Sequence, residues 1–267
     1  MTTRSLLVLW DIDHTLIDTG GVGRDAYAAA FREATGVALA EDWRFDGRTE
    51  LAAAIDALTE HGLPAETKQI ERLCESIIAV HAAMADQFAR HGQVLPGIQR
   101  ALATLAELGY VRQSVLTGNL REVAAIKLKA LGLDEAVDLR IGAYGSDAVE
   151  RSALAPFAFQ RAARLLGLEI DGRNTAIIGD TPRDIAAAHA VGALAVGVAT
   201  GHHSTADLKA VCADLVFADL SDMAAVLDGL TAYAGADRDG ADAGADAVPT
   251  AARAPARAPH RQASARP

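Results

Sequence analysis

The sequence predicts an α/β protein: a Rossmann-like, doubly wound parallel sheet with an all-α helical domain inserted near its start. Three observations predict it. Short, wholly apolar runs recur along the chain, as strands buried on both faces do. Helix-length amphipathic stretches separate them, the alternation that builds a parallel sheet covered on both sides. One long interval, residues 11–112, breaks that rhythm and reads mostly as helix.

The first strand is Leu6–Trp10, and further strands are expected at Gln113–Leu116, Val137–Ile141, Thr175–Ile178, Leu194–Val198 and Asp214–Phe217. The long interval predicts helices over Arg24–Thr35, Thr49–His61, Ala65–His91 and Gly97–Leu108, the last leading into the second strand. Glycine-rich Gly20–Gly23 and the stretch His91–Gly97 are the expected hinges. Later helices are expected over Leu120–Leu131, Ala153–Leu166, Pro182–Val191 and Thr205–Val211. The domain organisation that follows is an α/β core of residues 1–18 and 95–232 and a helical domain of residues 19–94. Residues 233–267 are Ala, Asp, Gly, Pro and Arg with almost no bulky apolar side chains. Such a segment cannot bury enough surface to offset its chain entropy, so a disordered tail is expected.

Composition narrows the function classes. With 267 residues, 51% of them hydrophobic and 22% charged, the chain is of globular composition and long enough to bury a core without staples. A net charge of −10 gives nucleic acid no electrostatic attraction. The only cysteines, Cys74 and Cys212, are too far apart and too few for a disulfide framework or a multi-cysteine zinc site. No apolar run approaches the ~18 residues of a membrane span. A cytoplasmic protein, monomer or homodimer, with neither membrane nor nucleic-acid partner, is expected.

The chemistry gathers where strands end. In an open parallel sheet, ligands bind at the carboxyl ends of the strands. The first strand runs into Asp11-Ile-Asp13-His14-Thr15, which places two carboxylates two residues apart at that edge. Alone, the pair reads equally as a helix cap. The fourth strand, however, ends in Gly179-Asp180-Thr-Pro-Arg-Asp184, a second acidic pair. A divalent cation such as Mg²⁺ would relieve the repulsion among such carboxylates. The second strand ends in Leu116-Thr117-Gly118-Asn119, a hydroxyl and small-residue turn opening a helix, which suits an oxyanion.

These three segments, in this order and spacing, resemble the haloacid dehalogenase superfamily of hydrolases over roughly residues 5 to 225, and most of all its phosphoglycolate-phosphatase-like members. The resemblance implies a helical cap inserted after the first strand and a small phosphorylated metabolite as substrate. It implies Asp11 as nucleophile, carrying an aspartyl-phosphate, and Asp13 as the acid that protonates the leaving oxygen and then serves as base. Mg²⁺ would be held by Asp11, Asp13 through its backbone carbonyl, and Asp180, with Asp184 in support. Thr15, Thr117, Gly118 and Asn119 would meet the substrate. The family also needs a cation for the transferring phosphoryl group, commonly Lys before Pro. Here Glu150-Arg151-Ser152 stands instead, so Arg151 is the first candidate. Lys127, on the helix after Thr117, is the second, with a solvated helix face as its alternative. His14 replaces the family's usual Gly.

Other features weigh less. Gly21-Val-Gly23-Arg-Asp-Ala26 matches a dinucleotide fingerprint but lacks the strand that must precede it, so a hinge and helix start is expected. Arg48, in Gly47-Arg48-Thr49, either reaches substrate from the cap or is a solvated turn residue. His202-His203 is expected in a surface loop. A phosphomutase of the same fold, which keeps both carboxylates, is the nearest rival to a phosphatase. A phosphate-receiving regulatory domain is the rival from another class, and the helical insertion argues against it.

Overall fold

The computed structural model describes residues 5–44 and 47–240. Its strands are β1 (Leu6–Trp10), β2 (Ile17–Asp18), β3 (Gln93–Val94), β4 (Val111–Val115), β5 (Thr175–Gly179), β6 (Leu194–Val198) and β7 (Leu215–Phe217). Its helices are α1 (Val22–Thr35), α2 (Glu50–Glu60), α3 (Thr67–Ala83), α4 (Ala85–His91), α5 (Ile98–Glu107), α6 (Arg121–Ala130), α7 (Ala155–Leu166), α8 (Pro182–Val191), α9 (Thr205–Ala210) and α10 (Met223–Gly240). Five strands form one parallel sheet in the order β4-β1-β5-β6-β7. On one side β1 pairs Leu6 with Val111 and Trp10 with Val115; on the other it pairs Leu7 with Thr175 and Trp10 with Ile178. The chain leaves β1 toward β4 and returns to β5 on the opposite side. The strand order therefore reverses between β1 and β5, and a crevice opens at their carboxyl ends.

The apolar strands split by parity between two cores. Leu6, Val8 and Trp10 face one, with Ile98 and Leu102 of α5 and Val226 and Leu230 of α10. Leu7 and Leu9 face the other, with Ala158 and Ala162 of α7 and Ile185 and Ala188 of α8. That is the period of two of a strand, and each fully buried aliphatic side chain stabilises by roughly 1.5–3 kcal/mol. Helices α1, α2 and α3 build a third core from Tyr27, Phe31, Ala54, Leu58, Leu73 and Ile77, which leans on Leu120 and on Val123 of α6. The two segments that join this helical insertion to the sheet pair with each other: β2 and β3 are antiparallel, Ile17 opposite Val94.

Three expectations about the fold are corrected. Val137–Ile141 is not a strand. Asp138 turns its carboxylate onto the Arg140 N–H at 3.0 Å, a local bond that competes with a ladder. The segment meets β4 through Asp138, whose N–H donates to Gln113 O at 2.9 Å and whose carbonyl accepts the Ser114 hydroxyl at 2.7 Å, and the bridge from Leu116 to Ala143 lies beyond both. The helix expected over Ala65–His91 is broken at Met84. His81 places Nδ1 2.8 Å from the Ile77 carbonyl, and the bend stacks its ring on Phe88. The tail expected from residue 233 begins inside α10, which runs to Gly240. Alanine sustains a helix without bulky apolar neighbours, and Tyr233 donates its hydroxyl to Gly172 O at 2.8 Å. The rest of that expected tail, residues 241–267, lies outside the described residues. Among the described residues no helix is long and apolar enough to cross a membrane.

Candidate active site

Asp11 follows β1 directly, and its N–H extends the ladder to Ile178 O at 2.8 Å, so the sheet fixes its position. The chain then turns tightly, with His14 N–H on Ile17 O at 2.7 Å and Leu16 N–H on Ile12 O at 2.9 Å. His14 carries this turn at φ 60, the left-handed region that glycine adopts without cost. That explains the usual Gly, and the side chain here accepts strain on the order of 1 kcal/mol. The Thr200 hydroxyl holds the His14 carbonyl at 2.6 Å, and the His14 ring lies 5.2 Å from that of His202. The turn points Thr15 inward. Expected at the substrate, it is instead fully buried and donates to Asp180 Oδ1 at 3.3 Å.

Around Asp11 lies an acidic cluster. Asp11, Asp180 and Asp184 each bring a carboxylate oxygen within 4.8 Å of the others, and all three are buried. Gly179 makes this approach possible, because a Cβ there would collide with the Asp184 carboxyl. Arg151 Nη2 sits 2.7 Å from Asp11 Oδ1 and 2.5 Å from Asp184 Oδ1. The remaining Asp184 oxygen accepts the Thr181 N–H at 3.0 Å and hydroxyl at 2.7 Å, closing a capping box at the start of α8. Burial pushes Asp11 above the ordinary carboxylate range against the pull of Arg151. Asp180 is pushed the same way, by burial and then by repulsion from Asp11 and Asp184.

Asp13 lies in a different setting. Its side chain stands outside that cluster and is held by Lys127 Nζ at 2.9 and 2.8 Å and by Asn119 Nδ2 at 2.7 Å. Lys127 also donates to Asn119 Oδ1 at 2.7 Å. The expected alternative of a solvated Lys127 is corrected: it is 5% exposed, because α6 turns it into the crevice. Burial disfavours charge on Asp13, but the Lys127 ammonium and the Asn119 amide outweigh it and hold its carboxyl below the ordinary range.

The β4 end presents Thr117, Gly118 and Asn119 to the same crevice. Asn119 donates its N–H at 3.2 Å and its amide at 2.9 Å to Thr117 Oγ1, so of the two backbone N–H groups expected to meet an anion, only that of Gly118 is left without a protein acceptor among the described residues. The Leu120 N–H, at the start of α6, is taken by the carboxylate of Glu50.

A cavity of about 340 Å³ joins both aspartates to the helical insertion. Arg48 lines it but pairs with Asp56 at 2.7 Å. His202 and His203 stand in a loop after β6, as expected, and line the rim. Among the lining residues that went unread in the sequence, Glu50 and His81 bear on the chemistry. Glu50, at the first turn of α2, is buried, and that burial pushes its carboxyl up to about 7 despite Lys127 and the Leu120 N–H. His81, on α3, is pushed down to about 4 by burial and then by Lys127. The stretch Thr49–Glu50 looks like any helix start, and His81 like part of an amphipathic stripe.

The model of the haloacid dehalogenase-like hydrolase family matches residues 6–192. "Probable phosphatase IndB" of Dickeya dadantii is 32% identical over 212 residues, 76% of this chain and 85% of that protein. A phosphoglycolate phosphatase of Neisseria meningitidis is 35% identical over 107 residues, 40% of this chain and 43% of that protein. Among solved structures, a hydrolase from Pseudomonas syringae superposes with a TM-score of 0.63 at 26% identity, covering 85% of this chain and 99% of that one.

Proposed function

The chain belongs to the haloacid dehalogenase-like hydrolase family, and from that footing we propose that it is a Mg²⁺-dependent phosphatase of a small phosphomonoester. One observation carries this reading. Two aspartates of a single turn enter one cavity with opposite partners, Asp11 in an acidic cluster with Arg151 and Asp13 on Lys127 and Asn119. Different environments assign different roles to like groups.

The donor set fits Mg²⁺. Three buried carboxylates converge without sulfur or imidazole, and burial and mutual repulsion raise two of them, a strain that a hard divalent cation relieves. Asp11 and Asp180 would hold it, with Asp184 behind them. When bound, the ion supplies Lewis-acid polarisation of a phosphoryl oxygen and screens the carboxylates from the incoming dianion.

A carboxylate oxygen of Asp11 attacks phosphorus and the ester P–O bond breaks, leaving an aspartyl-phosphate and an alcohol. Arg151, already on Asp11, balances charge on the transferring group. Thr117 and the Gly118 N–H orient it. Asp13 delivers the proton to the leaving oxygen. With Lys127 on it Asp13 is ionised, so it gains that proton as the phosphoryl dianion draws Lys127 away and opposes a second negative charge. Asp13 then takes a proton from water, which attacks the aspartyl-phosphate and releases inorganic phosphate and free Asp11. The helices of residues 19–94 act as a cap over a core of residues 1–18 and 95–232, and the cap segment runs against the phosphoryl loop, where a Cβ on Gly118 would collide with the Arg48 carbonyl.

Turnover of a panel of phosphomonoesters with Mg²⁺, and its loss in chelator, tests the reading. Asp11→Asn should abolish both turnover and acid-stable label from ³²P-substrate. Near-normal turnover in that variant would sink the proposed chemistry.

A further inference from the structure

We infer that the leaving-group end of this cavity selects an alcohol carrying further hydroxyl or amino groups and rejects one carrying a carboxylate, with Glu50 and His81 determining the choice. The inference rests on the phosphatase reading and names its substrate class.

Above the value of about 7 to which burial raises Glu50, where its carboxyl is ionised, both residues present acceptors. One Glu50 oxygen accepts the Leu120 N–H, and the other has no protein partner among the described residues. His81 Nδ1 lies 2.8 Å from the Ile77 carbonyl, which can only accept. The proton therefore sits on Nδ1, and Nε2 offers a lone pair. The stack on Phe88, with centroids 5.6 Å apart, fixes the ring. Glu50 is 7% exposed and His81 2% exposed, and both line the cavity. Lys127 and Asp13 line the same cavity, so both residues share it with the group that would protonate the leaving oxygen.

Of the cations that line the cavity, Lys127 and Arg48 are paired with carboxylates. Lys127 is held by Asp13 and Asn119, Arg48 by Asp56, and Arg24 by the Glu41 carbonyl. Arg44 and His202 are exposed, and the half-buried His14 ring lies 5.2 Å from that of His202. A leaving group with a carboxylate would face Glu50 without a free deep cation, whereas one with O–H or N–H groups would satisfy two buried acceptors. Buried acceptors left unpaired are costly, which is how a polar wall discriminates. The volume, about 340 Å³, also lies in the range of sites for ligands larger than a two-carbon acid.

The test compares kcat/KM of the full chain with Mg²⁺, at pH 8 and so above the Glu50 value of about 7, on glucose 6-phosphate, glucosamine 6-phosphate and glycerol 1-phosphate against 2-phosphoglycolate. The best polyol phosphate should exceed phosphoglycolate by roughly tenfold or more. That ratio should fall by roughly tenfold in Glu50→Gln, which keeps an acceptor for Leu120 but loses the charge, and also in His81→Phe, which keeps the stack but loses Nε2. A ratio taken on one sample is independent of its folded fraction, so partial misfolding does not imitate the effect. Phosphoglycolate as the equal or better substrate, or an unchanged ratio in both variants, overturns the inference and leaves the phosphatase reading standing. Hydrolysis of no phosphomonoester at all overturns both.

Discussion

Two aspartates separated by one residue occupy opposite worlds. On the Asp11 side, three carboxylates crowd one buried arginine, and their charge is only partly balanced. On the Asp13 side, one carboxylate has a lysine and an amide to itself, with Glu50 and His81 nearby. The first half is short of positive charge and suits a cation and a dianion. In the second, Asp13 is balanced, and its protonation changes only when something displaces Lys127. What differs is the neighbours, which come from β5, α6, α8 and the segment at Arg151. The tight turn from Ile12 to Ile17 lets one strand end serve both halves.

The comparison breaks most directly at its two cations. If Arg151 serves the Asp11 half, Arg151→Ala should lower kcat by about 10²–10³, the range for a single preorganised electrostatic donor. Arg151→Lys should recover part of that, since an ammonium lacks the second nitrogen, Nη1, that Arg151 places 3.2 Å from the Gly47 carbonyl while Nη2 bridges Asp11 and Asp184. Steady-state kinetics at saturating Mg²⁺ measure it, with circular dichroism to verify the fold. A loss within a few-fold would move the cation's role elsewhere.

A smaller and differently shaped effect is expected from Lys127. Its contacts are with Asp13 and Asn119, so Lys127→Ala should disturb proton delivery rather than phosphoryl attack. The loss should be about tenfold for an alkyl phosphate, whose leaving oxygen needs the proton, and milder for p-nitrophenyl phosphate, whose leaving oxygen does not. An equal loss on both substrates would erase the division of labour between the two halves.

The sequence carried the sheet and most of the Asp11 half. Apolar runs and strand-end motifs are local signals, and Asp11, Asp180, Asp184 and Thr117 each announce themselves within a few residues. Arg151 was legible only through a resemblance, since nothing around Glu150-Arg151-Ser152 states what it reaches. The Asp13 half was harder to read because its partners are set by helix rotation. Whether Lys127 faces solvent or Asp13 depends on how α6 lies on the sheet, and an ammonium on a flexible stem suits either place. Glu50 and His81 belong to the insertion, whose approach to the sheet edge is a long-range fact. Val137–Ile141 failed for the opposite reason: its composition is strand-like, but Asp138 supplies a local turn that propensity does not count.

The smallest expected effect concerns stability and isolates one member of the Asp13 half. His81 is buried neutral, its pKa lowered from 6.5 to about 4. The unfolded chain therefore binds a proton there between those values and the folded chain does not. Where the unfolded state binds more protons, stability rises with pH, so this contribution is complete above about 6.5 and is lost as pH falls toward 4. Glu50 acts with the opposite sign, since its folded carboxyl, raised from 4.5 to about 7, keeps a proton that the unfolded chain releases. The wild-type slope thus mixes both, and only a difference is diagnostic. Urea unfolding of wild type and His81→Phe at pH 7.5, 6 and 5 should show the variant gaining on the wild type as pH falls, by at most ~1.4 kcal/mol per unit for one proton. A gap that stays constant across this window would mean that His81 is not held neutral by its burial beside Lys127.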